Sequence, residues 1–168
     1  MLTKIFNSFG TTLYVQIWKN RIKVTDINTR KVFDEVPLLA IDKSDEKKHI
    51  VVAIGNSAKS KTSDSINVVN PFDHPRSLLS DFTAAEKILQ HIFRELLNKK
   101  LLSPAPLVII QPMEMLEGGL TMIESRAFRE LAYSAGARDA FPYTGKELTA
   151  KEIVSKEFLS YEGLNINA

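Results

Sequence analysis

The order of the predicted elements is the feature that most constrains what this chain can fold into. Three short segments rich in Val, Ile, Leu and aromatic residues predict an antiparallel meander: residues 13–17, 21–27 and 31–41. From residue 82 onwards the pattern changes to alternating helix and strand. A meander followed by alternating helices and strands predicts an α/β fold with a mixed central sheet.

The region between these two halves predicts two more short strands. Residues 49–55 and 66–69 have strand-like composition, and residues 56–65 form a loop rich in Ser and Lys. Residues 42–48 are polar, and we expect them to separate the meander from the strand that follows.

The most regular helical pattern covers residues 82–100. Thr83 and Glu86 have the spacing of a capping box, and Lys99 and Lys100 would lie at the negative end of the helix dipole. One apolar stripe recurs at helical spacing along this segment: Ile88, Leu89, Ile92, Phe93, Leu96 and Leu97.

Two strands and two helices complete the second half. Residues 107–111 form a continuous apolar run, which is typical of a strand covered on both faces, and residues 139–143 predict another strand. Helices are predicted over residues 121–135, ended by Gly136, and over residues 146–161. The side chains expected to face inward are Ile123, Ala127, Phe128, Leu131 and Ala132, then Ile153, Val154, Phe158 and Leu159.

Length and composition exclude several classes of protein. The chain has 168 residues, 44% of them hydrophobic, so we expect one domain spanning residues 1–168. The sequence contains no run of ~20 apolar residues that would span a membrane. It has no cysteine, which excludes disulfides and thiol chemistry and fits a reducing cytoplasm. Its histidines share no metal-ligand spacing, and no metal site is expected.

The charge is unevenly distributed along the chain. Residues 1–61 carry 11 Lys and Arg against 6 Asp and Glu, whereas residues 62–168 carry 11 against 14. The basic half could face an acidic surface such as anionic lipid, or it could be a solvated sheet edge protected by lysines. No basic stripe with interleaved aromatic residues is present, and this argues against nucleic-acid binding.

Several stretches resemble one known family when they are taken together and in order. They are LYVQIWKN (residues 13–20), AIGNSAK (53–59), DFTAAEKILQHIFREL (81–96) and IESRAFRELAYSAGARDAF (123–141). These stretches are similar to segments of the MreB family, the bacterial actin homologues that determine rod shape. The resemblance covers roughly residues 1–142. It implies a ribonuclease H-like fold corresponding to subdomain I of an actin-like ATPase.

The resemblance also locates a changed phosphate-binding turn. The family has an Asp-x-Gly-Thr turn that contacts the phosphates and the metal, and Gln16, Trp18 and Lys19 stand at the positions of its Asp, Gly and Thr. Losing the carboxylate removes the contact with hydrated magnesium, and a tryptophan obstructs a turn that must present its amides to a phosphate. The chain also ends before the family's second phosphate loop and second domain. We therefore expect no ATP or magnesium cofactor and no enzymatic activity.

Acidic residues near residue 120 offer two further candidate sites. The resemblance places Glu124 at the glutamate that positions the attacking water, but Glu124 also stands three residues after Thr121, as in a capping box. We favour the helix-cap role. Glu114 and Glu117 lie on a loop containing glycine, where solvated carboxylates are commoner than a metal site.

Both ends of the chain carry apolar faces that need a partner. In residues 1–10, helical spacing of Leu2, Ile5, Phe6 and Phe9 suits weak insertion into a membrane surface, as in the family. The alternatives are a strap packed on the protein's own sheet, or a disordered segment. Residues 143–168 diverge from the family as a helix and tail. This helix either covers the apolar surface left by the missing domain, or the protein forms a homodimer.

Three hypotheses for function stay open. The favoured one is a non-catalytic MreB-like protein of the cytoplasm, acting in cell shape or cytoskeletal organisation through protein partners such as full-length MreB filaments, with weak contact to the inner membrane. One alternative is half of a split actin-like ATPase that a partner completes. The other is an adaptor in another membrane-associated assembly such as a pilus machine.

Overall fold

A five-stranded mixed sheet forms the centre of the structure, a computed structural model that describes residues 10–97 and 104–161. The strands are β1 Thr12–Trp18, β2 Arg21–Asp26, β3 Val32–Glu35, β4 Leu39–Asp45, β5 Lys48–Ile54, β6 Ile66–Val69, β7 Leu107–Pro112 and β8 Asp139–Pro142. The central sheet has the order β3-β2-β1-β7-β8, and a three-stranded sheet has the order β5-β4-β6. The predicted meander and mixed central sheet are confirmed.

The central strands β1 and β7 pair in parallel and are buried on both faces. Leu13 lies opposite Val108 and Val15 opposite Ile110, and all four side chains are inaccessible to solvent. β8 extends the sheet in parallel with β7, as expected for a strand that returns through a crossover helix. The apolar run at residues 107–111 is therefore a fully covered strand, as predicted.

Two helices, α1 Phe82–Leu96 and α2 Met122–Ser134, belong to the larger hydrophobic core. The predicted apolar stripe of α1 is buried or partly buried. The predicted capping box of Thr83 and Glu86 is wrong, because Asp81 is the N-cap and its carboxylate accepts the amide hydrogen of Ala84 at 2.9 Å. Lys99 and Lys100 lie outside the described residues.

The start of α2 differs from the prediction in one side chain. Ser125, Phe128, Leu131 and Ala132 face the core, whereas Ile123 is 82% exposed. Ile123 precedes Ser125 by two residues, which places it about 200° around the helix axis from the buried side. Gly136 has a φ of 111°, the left-handed conformation that ends a helix, as predicted.

The segment predicted as one strand at residues 31–41 is two strands in different sheets. β3 pairs with β2, and β4 pairs with β5 and β6 instead. Pro37 lies between β3 and β4 and has no amide hydrogen for a sheet ladder, so the chain changes direction there. The polar residues 42–48 form the end of β4, the hairpin turn and the start of β5, and not a separating loop.

The C-terminal segment covers the second face of the central sheet. The helix predicted at residues 146–161 is interrupted, since α3 Ala150–Ser155 ends at Lys156 with a φ of 63°, and a 3-10 helix, Glu157–Ser160, follows. Ile153 and Phe158 are buried as predicted, whereas Val154 is 63% exposed. The predicted tail at residues 164–168 lies outside the described residues.

The depth of Phe158 predicts a large effect on stability. Replacing Phe158 by Ala should lower the free energy of unfolding by about 3–5 kcal/mol, because the ring is fully buried against β1, β7 and β8. Val154→Ala is the matched control on the same segment and should change it by less than about 0.5 kcal/mol. Urea unfolding of both variants measures the difference, and equal losses would contradict this assignment of the buried face.

Candidate functional site at the end of strands β1 and β7

The carboxyl ends of β1 and β7 meet at one edge of the sheet, which is where α/β sheets commonly bind ligands. Gln16 and Gln111 lie side by side here in the parallel register, and both are 1% exposed. The Gln16 side-chain amide donates a hydrogen bond to Oε1 of Glu147 at 3.0 Å. Gln16 therefore bonds to a carboxylate of the same chain.

A second set of hydrogen bonds attaches the C-terminal segment to the same two strands. The Tyr14 hydroxyl donates to the side-chain carbonyl of Gln111, whose amide nitrogen donates to the backbone carbonyl of Gly145 at 2.7 Å. The backbone amide of Leu148 donates to the Tyr14 hydroxyl oxygen at 3.0 Å. Burial raises the pKa of Tyr14, so this hydroxyl keeps its proton.

Gly145 is required where this segment passes over Tyr143. A Cβ atom at residue 145 would collide with the Tyr143 hydroxyl and ring, so either the buried Tyr143 side chain or residue 145 would have to shift. The close passage lets the Gly145 carbonyl reach Gln111.

The turn between β1 and β2 is held by hydrogen bonds to residues distant from it in the sequence. The Lys19 amide donates to Oε2 of Glu114 at 2.6 Å, and the Asn70 side-chain amide donates to the Lys19 carbonyl at 2.8 Å. The Arg21 guanidinium lies 4.9 Å from the centre of the Trp18 ring and pairs with both oxygens of Asp34. The pairing with Arg21 lowers the pKa of Asp34. The turn thus packs the Trp18 ring against the Arg21 cation.

Glu124 is held at the start of α2 by a capping box. Its Oε2 accepts the Thr121 amide hydrogen at 2.9 Å and the Thr121 hydroxyl at 2.8 Å, and its own amide donates back to that hydroxyl oxygen at 3.2 Å. The predicted helix-cap geometry is confirmed. A carboxylate engaged in this way is oriented by its own helix.

A cavity of about 150 Å³ lies beside the turn, lined by residues that include Glu114, Met115, Glu124 and Phe128. Small-molecule sites usually enclose about 300 to 1,000 Å³, so this cavity is smaller than a usual small-molecule site. Both of the carboxylates named here are already engaged, one with Lys19 and one with Thr121.

The other residues singled out from the sequence do not converge on this site. Within residues 10–97 and 104–161, no group of three or more His, Asp or Glu is arranged to hold a metal, and Glu117 lies exposed on its loop. No helix in these ranges is long and apolar enough to cross a membrane. The membrane-facing candidates Leu2, Ile5, Phe6 and Phe9 lie outside the described residues, and their role stays a prediction.

Sequence reasoning missed the residues that occupy the site. Tyr14, Gln111 and Glu147 were not predicted to contribute. The available signal is a polar residue in a buried, otherwise apolar strand, since Gln16 lies between Val15 and Ile17, and Gln111 directly follows the apolar residues 107–110. A buried side-chain amide needs hydrogen-bond partners, but the sequence does not say which residues supply them.

Glu152 anchors the far end of the same segment. Its carboxylate accepts from Lys146 Nζ at 2.5 Å, from the Thr149 amide and hydroxyl at 2.8 Å, and from the Tyr161 hydroxyl at 2.9 Å. The bonds from Lys146, then from Thr149 and Tyr161, lower the pKa of Glu152 to about 2. The Glu152 carboxylate therefore joins the two ends of residues 146–161, since it accepts hydrogen bonds from both Lys146 and Tyr161.

The family model for MreB/Mbl protein matches residues 20–150 of the chain. The chain belongs to the MreB/Mbl family. Among curated relatives, this MreB/Mbl member is 29% identical over 146 residues to the cell shape-determining protein MreB of Escherichia coli K12, covering 84% of this chain and 40% of that protein. It is 31% identical over 115 residues to MreB of Pasteurella multocida, covering 66% of this chain and 31% of that protein. The resemblance expected from the sequence is confirmed.

Solved structures agree with the fold of this MreB/Mbl member. MreB5 of Spiroplasma citri bound to AMPPNP aligns with a TM-score of 0.60 at 20% identity, over 82% of this chain and 39% of that one. The same protein bound to ADP aligns with a TM-score of 0.60, over 81% and 38%. The chain therefore spans about 40% of the length of the E. coli relative and has a partial MreB-like fold, as predicted.

The Glu152 cluster predicts a pH-dependent stability difference. A carboxyl group whose pKa falls from 4.5 to about 2 on folding stabilises the folded state above pH 4.5, and this contribution is lost as the pH falls towards 2. The unfolding temperature of the wild type should exceed that of Glu152→Gln at pH 6, and the gap should close by pH 2. A gap that stays constant across this range would contradict the assignment.

Proposed function

We propose that this MreB/Mbl family member acts in cell shape or cytoskeletal organisation through protein contacts, without binding or hydrolysing a nucleotide. One observation carries the proposal: two donors of the former phosphate turn bond to carboxylates of the same chain. The side-chain amide of Gln16 donates a hydrogen bond to Glu147, and the backbone amide of Lys19 donates one to Glu114.

The chemistry of these two carboxylates opposes a phosphate. A triphosphate would have to displace Glu114 from the Lys19 amide while meeting its negative charge at short range. Gln16 offers no negative charge to the water shell of a magnesium ion. The Glu124 carboxylate is held by the Thr121 amide and hydroxyl, and we expect it to stay in this capping box.

Family membership supports a role beside complete MreB. The described domain, which matches about 40% of E. coli MreB, would dock on the end or side of an MreB filament. Such a unit would cap or regulate filaments. We place it in the cytoplasm, with the N-terminal residues 1–10 giving weak contact with the inner membrane surface.

The filament role predicts an effect on polymerisation. Added below the concentration of full-length MreB, the chain should slow or shorten filament growth, because each docked copy blocks one growing end. Light scattering and electron microscopy measure growth and length, and an unrelated protein of similar size is the control. Growth curves that are unchanged at equimolar chain would count against the proposal.

The occupied turn predicts no nucleotide binding by the chain alone. Trp18 is the single tryptophan of the sequence and lies on this turn, so its fluorescence reports on any ligand there. Adding Mg-ATP to about 1 mM should leave the fluorescence unchanged and give no heat in calorimetry, because Glu147 and Glu114 already bond to Gln16 and Lys19. A Kd above about 1 mM corresponds to less than about 4 kcal/mol of binding free energy.

Two features would each prevent nucleotide binding: the competing carboxylates of Glu114 and Glu147, and the uncharged side chain of Gln16. Variants of the chain separate these two causes. Glu114→Ala with Glu147→Ala removes the competing carboxylates but leaves Gln16, and it should still fail to bind Mg-ATP. Saturable binding by the wild-type chain would overturn the proposal. Binding that appears only with a second polypeptide would support the alternative, a split ATPase completed by a partner.

A further inference from the structure

An open cleft lies at the amino end of β1, the opposite end of the strand from Gln16. Its volume is about 400 Å³, within the range of about 300 to 1,000 Å³ that small-molecule sites usually have. The turn between β2 and β3 contributes one part of the lining, and α3 with the residue that follows it contributes another. The lining residues are Gly10, Thr12, Ile27, Asn28, Arg30, Ile153, Val154 and Lys156.

Part of this lining is apolar. Ile27 and Ile153 are buried members of the smaller hydrophobic core, whereas Val154 is 63% exposed. An apolar group that lies against Val154 would be removed from water together with that side chain, which is favourable in proportion to the area buried. The cleft therefore offers a surface for an apolar portion of a ligand.

The polar part of the lining presents hydrogen-bond donors and positive charge. The side-chain carbonyl of Asn28 accepts the Thr12 amide hydrogen at 2.9 Å, so the NH2 group of Asn28 is left as a donor. The Arg30 side chain is exposed, and among the described residues no carboxylate forms an ion pair with it. Lys156 supplies a second cation and is half-buried.

The acidic side chains close to the cleft in the sequence do not line it. Asp26 begins the turn that carries Arg30, but it is 2% exposed, and its carboxylate accepts the amide hydrogens of Asn28 and Thr29 at 2.9 and 3.1 Å. Glu157 is exposed and lies outside the lining. The negative charge of Asp26 is thus directed at its own turn, and the lining itself is cationic.

A further cation lies beside the cleft. Nη2 of Arg138 would be 3.4 Å from a Cβ atom at Gly10, which is one of the lining residues. The neighbouring carboxylate of Asp139 accepts hydrogen bonds from the Tyr133 hydroxyl and from the next backbone amide. Several cations around one cleft match the double negative charge of a phosphate monoester better than the single charge of a carboxylate.

We infer that this cleft binds a phosphate monoester that carries a short apolar chain. The phosphate accepts hydrogen bonds from Arg30, Lys156 and the Asn28 amide, and the apolar chain lies against Val154. Soluble phosphorylated metabolites and the headgroups of acidic lipids share this chemistry. The inference goes beyond the proposed function, since the cleft lies at the other end of β1 from the candidate site and needs no filament.

Hexyl phosphate is the probe, and its binding to the full chain is measured by NMR and calorimetry. Hexanol lacks the charge and inorganic phosphate lacks the chain, so both are matched controls. We expect hexyl phosphate to bind with a Kd of about 1 mM or below, with chemical shift changes at residues 28–30 and 153–156. Both controls should bind at least tenfold more weakly, which is about 1.4 kcal/mol.

Variants of the chain assign the two parts of the ligand. Arg30→Gln should weaken binding of hexyl phosphate by about tenfold, because a charge-assisted hydrogen bond is lost. Lys151→Gln changes an exposed lysine of α3 outside the lining and should leave binding unchanged. Val154→Ala should weaken binding of hexyl phosphate by about threefold, because it removes apolar surface that the chain of the ligand covers.

Vesicles distinguish the two sources of the ligand. The chain is sedimented with phosphatidylcholine vesicles that contain or lack phosphatidic acid. Sedimentation that depends on phosphatidic acid and is lost in Arg30→Gln would support the inference with a lipid as ligand. Binding of hexyl phosphate without such sedimentation would support it with a soluble ligand.

Four outcomes would overturn the inference. The first is no saturable binding of hexyl phosphate up to about 10 mM. The second is equal binding of inorganic phosphate, which would mean an adventitious ion only. The third is an equal effect of Arg30→Gln and Lys151→Gln on binding. The fourth is a set of nuclear Overhauser contacts between the Val154 methyl groups and residues 1–9 in the free chain, which would assign the cleft to the chain's own N-terminal segment.

Discussion

The parallel pairing of β1 with β7 is the constraint on which the rest of the structure depends. These strands are separated by about ninety residues of chain, yet they lie side by side with both faces covered. The helices α1 and α2 fill one face, and residues 143–161 fill the other. Because parallel strands end at a common edge, this pairing also brings Gln16 beside Gln111 and creates the candidate site.

Two buried glutamines at that edge connect the fold to the proposed function. An amide in a buried strand must find partners, and here the partners come from residues 145–148, which pass over the ends of β1 and β7. The segment that covers the apolar face thereby also supplies Glu147 as the hydrogen-bond partner of Gln16. The packing of one segment therefore both covers the sheet and supplies hydrogen-bond partners to Gln16 and Gln111.

The sequence predicted elements whose signals are local. Thr121 and Glu124 of the α2 capping box are three positions apart, and the buried strand follows from the apolar run at residues 107–110. The predictions are wrong where contacts between residues far apart in the sequence determine the local structure. The strand break at Pro37 depends on which sheet each half joins, and the helix predicted at residues 146–161 is interrupted at Lys156, whose left-handed backbone the periodicity does not reveal.

By itself, the sequence determined the family, because the segments that match it are local and are read without coordinates. Only the tertiary structure decided which carboxylates bond to the Gln16 side-chain amide and to the Lys19 backbone amide. Gln16 and Glu147 are 131 residues apart in the chain, and Lys19 and Glu114 are 95 apart. No local pattern encodes such pairs, since they form only when the sheet brings the ends of separate strands to one edge.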